Sequence, residues 1–163
     1  MNPPRKPKPE ADADAASEAR RVAMGLLARR EHATLELERK LRDRGFDDDV
    51  IAGTVSWLCD KRYLSDRRFA EQFVSQRIGR GSGPLKLRAE LGQRGLDETA
   101  IDEALADAEV DWLNLAASVR RKRFGPALPS DYHERMRQAR FLQGRGFATA
   151  DIRQVLDGVD VED

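Results

Sequence analysis

The sequence has little of three features that often define a protein's class: it has one cysteine, 6% aromatic residues and no long hydrophobic run. A single cysteine excludes an internal disulfide, and the apolar neighbours of Cys59 predict a buried free thiol in a reducing cytoplasm. No apolar run approaches the roughly 18 residues of a membrane-spanning helix, and the N-terminus, MNPPRKPKPE, lacks the apolar stretch of a signal peptide. We therefore expect a cytoplasmic protein without a membrane partner.

Side chains that commonly perform catalysis or bind metals are also scarce. The two histidines, His32 and His133, stand far apart in the chain, and neither has a cysteine or histidine at metal-ligand spacing. His32, beside Arg30 and Glu31, is interpreted as part of a solvated helix end. The three acids at 47–49 indicate a helix start, where carboxylates complement the helix dipole, rather than a Mg²⁺ site. The sequence thus predicts no catalytic residue, no metal and no cofactor, and we do not expect an enzyme.

The glycine-rich segment GRGSGP at 79–84 superficially resembles a phosphate-binding loop. It follows a predicted helix rather than a strand, and it lacks the Lys-Ser/Thr ending of a P-loop. We interpret it as a flexible linker that closes one helix, with Pro84 starting the next.

Proline is concentrated at one end, because four of the seven prolines fall within residues 1–17, which show no periodic apolar pattern. This segment is predicted to be a disordered tail. Beyond it, aliphatic residues recur with helical spacing, and no stretch alternates as a strand would. Helices are therefore expected throughout the rest of the chain.

A motif of the form Leu-x-x-Arg-Gly-apolar occurs three times, as LRDRGF at 41–46, LGQRGL at 91–96 and LQGRGF at 142–147. Apolar residues stand at the same offsets around each copy, which indicates an internal repeat. Each copy predicts a helix, a tight corner and a second helix, because glycine accepts the left-handed conformation that closes a helix and arginine favours its last turn. The candidate N-caps of the second helices are Asp47, Asp97 and Thr149.

A further amphipathic helix is predicted before each pair, at 18–31, 66–78 and 110–123. We therefore expect an all-α protein of tandem three-helix repeats, three units with about nine helices. Neighbouring repeats must stack to bury their faces, which predicts an elongated curved array, and we expect a monomer. The predicted boundaries are the tail at 1–17 and repeats at 18–64, 65–108 and 109–163, the last with a short acidic end.

The formal net charge of zero is the sum of blocks of opposite sign. Residues 20–94 hold 17 Lys/Arg against 11 Asp/Glu, residues 95–111 hold seven acids and no base, and residues 112–153 hold nine bases against three acids. Such patterning suits a polyanionic or patchily charged partner. Solvated faces of an ordinary helical protein would give the same pattern, so both interpretations stay open at this point.

Two groups of cations are the candidate residues for binding a partner protein or DNA. Four of them are consecutive and spread over all sides of a helix, so part of that group must face whatever lies alongside. Because aromatic residues for base stacking are few, we expect phosphate contact without sequence preference rather than base-specific readout. The candidates are Arg67, Arg68, Arg77, Arg80, Lys86, Arg88, Arg120, Arg121, Lys122, Arg123, Arg135, Arg137 and Arg140.

Three stretches of the chain resemble parts of one known protein family. The stretch LLARREHATLELERKLRDRGF resembles the opening of its members, and RRKRFG…RMRQARFLQGRGFATADIRQVL resembles their third repeat. The most specific match is YLSDRRFAEQFVSQRIGRGSGPLKLRAELGQRGLDETAIDEAL, which resembles the central signature of the RecX family, whose members regulate the RecA recombinase. The resemblance covers about residues 18–157 and departs from the repeat pattern at Gln138, where the other two copies have Leu37 and Leu87.

The resemblance implies a non-catalytic modulator that binds the RecA–DNA nucleoprotein filament and inhibits its ATPase, strand-exchange and coprotease activities. It also implies direct contact with single- or double-stranded DNA, which we expect to be weak and without sequence preference because aromatic residues are few. It assigns no individual contact residue. The alternative is a stand-alone, sequence-nonspecific DNA-binding protein of helical repeats.

Overall fold

Helices account for all regular secondary structure in residues 8–158, the part of the chain that the computed structural model describes. No strand occurs in that range, so the predicted all-α fold is confirmed. The helices are α1 (Lys8–Leu27), α2 (Thr34–Asp43), α3 (Asp48–Asp60), α4 (Asp66–Gly79), α5 (Pro84–Gln93), α6 (Glu98–Asp107), α7 (Trp112–Phe124), α8 (Tyr132–Gly144) and α9 (Thr149–Asp157).

The chain divides into two compact units, one ending at Phe69 and the other beginning at Ala70. The first unit contains α1 to α3 and the start of α4, and the second contains the rest of α4 and α5 to α9. This division falls inside α4, whereas the sequence predicts a repeat boundary just before it. The predicted repeat boundaries therefore remain predictions from the sequence.

In the first unit, α1, α2 and α3 pack against one another in pairs. Leu37 and Leu41 lie one turn apart on α2, and Ile51 and Leu58 lie two turns apart on α3, so each helix turns an apolar stripe inward. Ala23 of α1 joins the same buried cluster. The apolar residues that recur with helical spacing in the sequence are thus the residues that form this core.

Helix α1 begins earlier than the sequence predicts. The sequence predicts a disordered tail at residues 1–17, and this prediction is wrong for residues 8–17, because they form the first half of α1. Alanine, the strongest helix former, recurs through this segment, and Pro9 falls in the first turn, where a helix tolerates proline. The same register continues to Ala19, which is fully buried. The predicted tail residues 1–7 lie outside the described range.

All three Arg-Gly motifs form the predicted corner. Gly45, Gly95 and Gly146 have φ of 89°, 89° and 92°, the left-handed conformation. At the first corner, the amide of Phe46 donates to the carbonyl of Leu41 (3.3 Å), and the amide of Gly45 donates to that of Arg42 (2.9 Å). The other two corners repeat this pair of hydrogen bonds at equivalent positions. Each corner therefore satisfies two carbonyls that the end of a helix leaves without partners.

The N-terminal ends of the helices agree with most of the predicted caps. Asp97 accepts a hydrogen bond from the amide of Ala100 (2.8 Å), and Asp47 occupies the N-cap position of α3 without a side-chain bond. The prediction for Thr149 is wrong, because Thr149 is already helical and Ala148 is the N-cap of α9. The offset of one residue leaves α9 without a side-chain cap.

In the second unit, α5 packs on α6, and α7, α8 and α9 pack against one another. The cluster of α7 to α9 is apolar, with Ala116, Leu142, Phe147, Ile152 and Leu156 all buried. The second unit thus contains a three-helix core like that of the first, formed around the third corner.

The segment GRGSGP is not the flexible linker that the sequence predicts. Gly83 is buried, and its amide donates to the carbonyl of Arg145 (2.7 Å), while the amide of Leu85 donates to that of Gly146 (2.9 Å). Backbone meets backbone here, since a Cβ on Gly83 would lie 2.4 Å from the carbonyl of Gly146. Pro84 starts α5, as predicted. The glycine-rich segment therefore joins the start of α5 to the third corner.

Arg120, one of the candidate binding residues, is a structural residue and not part of an exposed basic surface. It is 4% exposed, and its guanidinium donates to the carbonyls of residues 125–127 (3.0–3.2 Å) and to Oε1 of Gln138 (3.2 Å). The prediction for this residue is therefore wrong. Gln138 takes the place of Leu37 and Leu87 because its amide oxygen pairs with this buried cation.

His32 is buried, so the prediction of a solvated helix end is wrong. Its Nδ1 lies 3.0 Å from the carbonyl of Arg30, and its Nε2 lies 3.0 Å from Nζ of Lys40. Because Lys40 can only donate, the imidazole is the neutral form with Nε2 accepting and Nδ1–H donating. Burial lowers the pKa of His32 below its usual value, and the charges of Arg30 and Lys40 act in the same direction.

The carboxyl group of Glu36 lies beside Arg30 and Lys40, the two cations near His32. Burial alone would raise the pKa of this carboxyl group, but the hydrogen bond from Arg30 and the charges of Arg30 and Lys40 lower it to about 2. Nζ of Lys40 lies 3.4 Å from Oε1 of Glu36. Lys40 thus bridges a carboxylate and a neutral imidazole, and its positive charge favours the deprotonated form of both groups.

Cys59 is exposed, so the predicted buried thiol is wrong. Its neighbour Leu58 faces the core, and one residue further along a helix lies about 100° around the axis, which turns Cys59 outward. Partial burial, with Asp66 and Asp60 in support, raises the pKa of the thiol. Cys59 is therefore a neutral thiol at physiological pH and a poor nucleophile.

The third corner should tolerate a side chain far less well than the first. Gly45→Ala is expected to cost about 1 kcal/mol of unfolding free energy, because its φ is left-handed but a Cβ meets nothing within 4 Å. In Gly146→Ala, the Cβ would lie 2.3 Å from Cβ of Lys86, which adds about 1–3 kcal/mol of overpacking. Urea unfolding followed by circular dichroism measures both. If both variants lost the same unfolding free energy, the close contact between Gly146 and Lys86 would be contradicted.

Replacing Arg120 should destabilise the protein through Gln138. Arg120→Leu leaves a buried amide and three carbonyls without their donor, and we expect a loss of about 2–3 kcal/mol in urea unfolding. Adding Gln138→Leu should recover part of that loss, because the first two repeats hold leucine at this place. Lys122→Ala, on the exposed side of α7, serves as the control and should stay within about 0.5 kcal/mol of the parent. A double variant no more stable than Arg120→Leu would refute the pairing.

Stability should fall as pH drops through the usual pKa of histidine. His32 has a lowered pKa in the folded state, so below the reference value of 6.5 the unfolded chain binds the proton first, and protonation favours unfolding. The thermal midpoint should therefore decrease between about pH 7.5 and about pH 5. His32→Gln should reduce this decrease, whereas His133→Gln, at an exposed site, should preserve it. A decrease that is the same in all three proteins would rule out His32 as its source.

Candidate functional site

A cleft of about 410 Å³ lies in the second unit, between the C-terminal ends of α4 and α8 and one side of α7. Among the described residues that line it, none is acidic. Four are cations, namely Arg80, Lys122, Arg123 and Arg145, and four are large apolar residues, namely Ile78, Leu115, Val119 and Phe141. We refer to this feature as the basic cleft.

The cations of the basic cleft come from three helix ends. Arg80 follows the last residue of α4, Lys122 and Arg123 lie in the last turn of α7, and Arg145 is the C-cap of α8. The C-terminal end of a helix carries partial negative charge, so a cation is favoured at each of these positions. The convergence of three such ends concentrates positive charge in one place.

Two phenylalanine rings hold the guanidinium groups beside the cleft. Phe124 and Phe141 meet edge to face, with their centroids 5.2 Å apart. The guanidinium of Arg145 lies 5.3 Å from the centroid of Phe141, and that of Arg123 lies 5.4 Å from the centroid of Phe124. Arg137 lies over Phe124 from another helix, at 5.1 Å. Cation–π contact thus restricts these side chains before any partner arrives.

Arg145 is fixed by a further bond, because its guanidinium donates to the carbonyl of Arg80 (3.0 Å). Arg145 is not among the binding residues that the sequence predicts, because the helix end alone accounts for the arginine of each Arg-Gly motif. The one feature of the sequence that could have indicated a role for Arg145 is its position directly before Gly146, the glycine of the third corner, which is buried. The structure shows that this arginine both ends α8 and faces the cleft.

Two predicted binding residues, Arg77 and Arg88, are instead engaged in ion pairs within the second unit. Nε of Arg77 lies 3.4 Å from Oε2 of Glu90, and both atoms are buried. Arg88 donates to Glu98 (2.8 Å) and also pairs with Asp102. These arginines hold α4 to α5 and α5 to α6, and neither lines the basic cleft.

Three other candidates also have structural contacts. Arg68 donates to Glu31 within the first unit (2.9 Å), and Arg135 pairs with Asp157 (2.6 Å) in the second. Lys86 lies half-buried beside the third corner. The structure therefore brings only part of the predicted set together. Those in the basic cleft are Arg80, Lys122 and Arg123, whereas the exposed candidates outside its lining are Arg67, Arg121, Arg137 and Arg140.

Within residues 8–158, no group of three or more His, Cys, Asp or Glu side chains is placed to hold a metal ion. None of the helices in that range is both long and apolar enough to cross a bilayer. The acids at 47–49 occupy the N-cap and first turn of α3, as predicted.

The chain matches three domain families, one after another. Residues 19–58 match the first three-helix domain of RecX, residues 65–105 match the second, and residues 109–156 match the third. The comparison thus identifies three tandem three-helix domains, in agreement with the repeats seen in the sequence.

Similar proteins carry the same family name. The regulatory protein RecX of Halorhodospira halophila is 47% identical over 153 residues, which are 93% of this chain and 95% of that protein. The regulatory protein RecX of Pseudomonas entomophila is 44% identical over 144 residues, covering 88% and 93% of the two chains.

Solved structures share the fold. The crystal structure of RecX from Lactobacillus salivarius matches with a TM-score of 0.78 at 22% identity, over 90% of this chain and 99% of that one. A second crystal structure, of a regulatory protein RecX, matches with a TM-score of 0.77 over 96% and 81% of the two chains. With all three domains matched in order and close relatives aligned along nearly their whole length, this chain belongs to the RecX family of regulatory proteins.

Proposed function

We propose that this protein inhibits the RecA recombinase by binding the RecA–DNA nucleoprotein filament, thereby suppressing its ATPase, strand-exchange and coprotease activities. The observation that carries the proposal is the match of residues 19–156 to the three RecX domains. The protein acts in the cytoplasm, as a monomer and by binding rather than by catalysis.

The basic cleft is the surface through which the second unit contacts the filament. Two of its cations are restrained before binding, Arg123 by a ring contact and Arg145 by a ring contact and a hydrogen bond, so these two side chains lose less entropy when a partner binds. A filament of protein and DNA carries both carboxylates and phosphates, and either anion complements this surface. The remaining exposed cations add weak DNA contact without base preference.

Inhibition follows from linkage between binding and conformation. ATP hydrolysis in a filament requires its subunits to cycle between conformations. A ligand that binds one conformation more tightly than the others shifts the population toward it and slows the cycle. No group on the inhibitor needs to react, which fits a protein that offers a cleft of fixed cations rather than an acid–base pair.

The direct test is DNA-dependent ATP hydrolysis by RecA, with this protein added at substoichiometric levels. We expect hydrolysis to slow and filaments to shorten. Neutralising the cleft with Lys122→Gln and Arg123→Gln should raise the concentration needed for half inhibition by at least about tenfold, the effect of about 1.4 kcal/mol. Lys61→Gln with Arg153→Gln removes the same charge from exposed sites outside the cleft and should leave inhibition unchanged.

A stand-alone DNA-binding protein would behave differently in the same assay. Its affinity for DNA would fall steeply between low and moderate salt, with a slope set by the number of phosphates it neutralises, and RecA would not alter that slope. Unchanged hydrolysis and unchanged filament length in the presence of this protein would refute the proposal.

A further inference from the structure

The floor of the basic cleft is apolar, which a site for phosphate alone would not need. Ile78, Leu115 and Val119 line it with aliphatic surface, and Phe141 adds an aromatic ring. A phosphodiester has no group that gains from covering aliphatic side chains, whereas a leucine or phenylalanine side chain does. The floor therefore favours a ligand that brings its own apolar group.

The rings in and beside the cleft offer no open platform for a nucleobase. The ring centroids of Phe141 and Phe124 are 5.2 Å apart. The guanidinium carbons of Arg145 and Arg123 lie 5.3 Å and 6.0 Å from the centroid of Phe141. Proteins that bind single strands stack bases on exposed aromatic faces. Here those faces are already in contact with side chains of the protein itself, so stacking of a base would first have to displace them.

The rim of the cleft selects for negative charge next to that apolar group. Arg80, Lys122 and Arg123 are exposed at the rim, and Arg145 is held in place by the carbonyl of Arg80. No described lining residue is acidic, so nothing within the cleft neutralises them. Carboxylates on either side of an apolar side chain would pair with these cations. The volume of about 410 Å³ suits a short peptide segment rather than a single ion.

We propose that the basic cleft binds a segment of a partner protein in which an apolar side chain is flanked by carboxylates. The inference rests on the proposed function for the assignment of the cleft as a partner site, but its test requires no RecA. Because part of the binding comes from apolar contact, it should persist at physiological salt, where a purely ionic contact would be screened.

The test is selection from a displayed library of random peptides, about twelve residues long, on the full-length protein at about 0.15 M salt. We expect enrichment of peptides with leucine, isoleucine or phenylalanine between aspartates or glutamates. The best peptide, labelled for fluorescence anisotropy, should lose at least about tenfold in affinity when its acids become amides, and as much when its apolar residue becomes alanine. Enrichment of peptides without acids, or no enrichment at all, would overturn the proposal.

Two variants, each with a matched control, test whether the peptide binds in the cleft. Ser118→Trp fills it without altering its charge and should abolish peptide binding, whereas Ser56→Trp, at an exposed position of the first unit, should have no effect. Lys122→Gln with Arg123→Gln should weaken binding at least about tenfold relative to Lys61→Gln with Arg153→Gln. Circular dichroism shows whether each variant is folded. If one of the tryptophan variants is unfolded, the two charge variants still test the proposal, and the tryptophan variants do so if a charge variant is unfolded.

A competitor separates peptide from nucleic acid. An oligothymidine at the same concentration as the unlabelled peptide should leave the labelled peptide bound. Full displacement by the oligothymidine, or undiminished binding to Ser118→Trp, would show that the cleft is not the proposed peptide site. Because RecA is absent, failure here leaves the result of the ATPase assay intact, and loss of ATPase inhibition leaves the peptide result intact.

Discussion

Where a helix ends, its last carbonyls lose their partners, and each corner of this protein solves that problem with a glycine in the left-handed conformation. The amides of Gly45 and Phe46 return to carbonyls of α2, and the same two bonds recur at the other two corners. A residue with a Cβ would resist that conformation. The corner sets the direction in which the second helix leaves the first, and the apolar stripes of the two helices meet in one buried cluster at the first and third corners. The three-helix clusters depend on it.

The electrostatics of the basic cleft follow from the same helix ends. A cation near the end of a helix needs no partner elsewhere to be favourable, since the helix carbonyls provide it with one. Three such ends meet around the cleft in the second unit, so cations that satisfy local requirements also create a shared field. The residues that stabilise the scaffold and those that offer charge to a partner are thus partly the same residues.

Local rules made most of the fold predictable. The repeated corner, the start of α5 at Pro84 and the inward faces of α2 and α3 each depend on residues within a few positions of one another. What the sequence could not predict depends on distant partners. Arg120 is buried because Gln138 and three carbonyls accept from it. The floor of the basic cleft brings Ile78 near Phe141, although no local pattern relates the two.

The contact between GRGSGP and the third corner has a consequence for synthesis of the chain. The amides of Gly83 and Leu85 stand at the start of α5, yet their acceptors are the carbonyls of Arg145 and Gly146. Those acceptors leave the ribosome long after α5 itself. While the chain is being made, the start of α5 must therefore bond to water, and it gains its final partners only once α8 has formed and turned its corner. The start of α5, in the middle of the sequence, therefore reaches its final hydrogen bonding only after the third corner has been synthesised and folded.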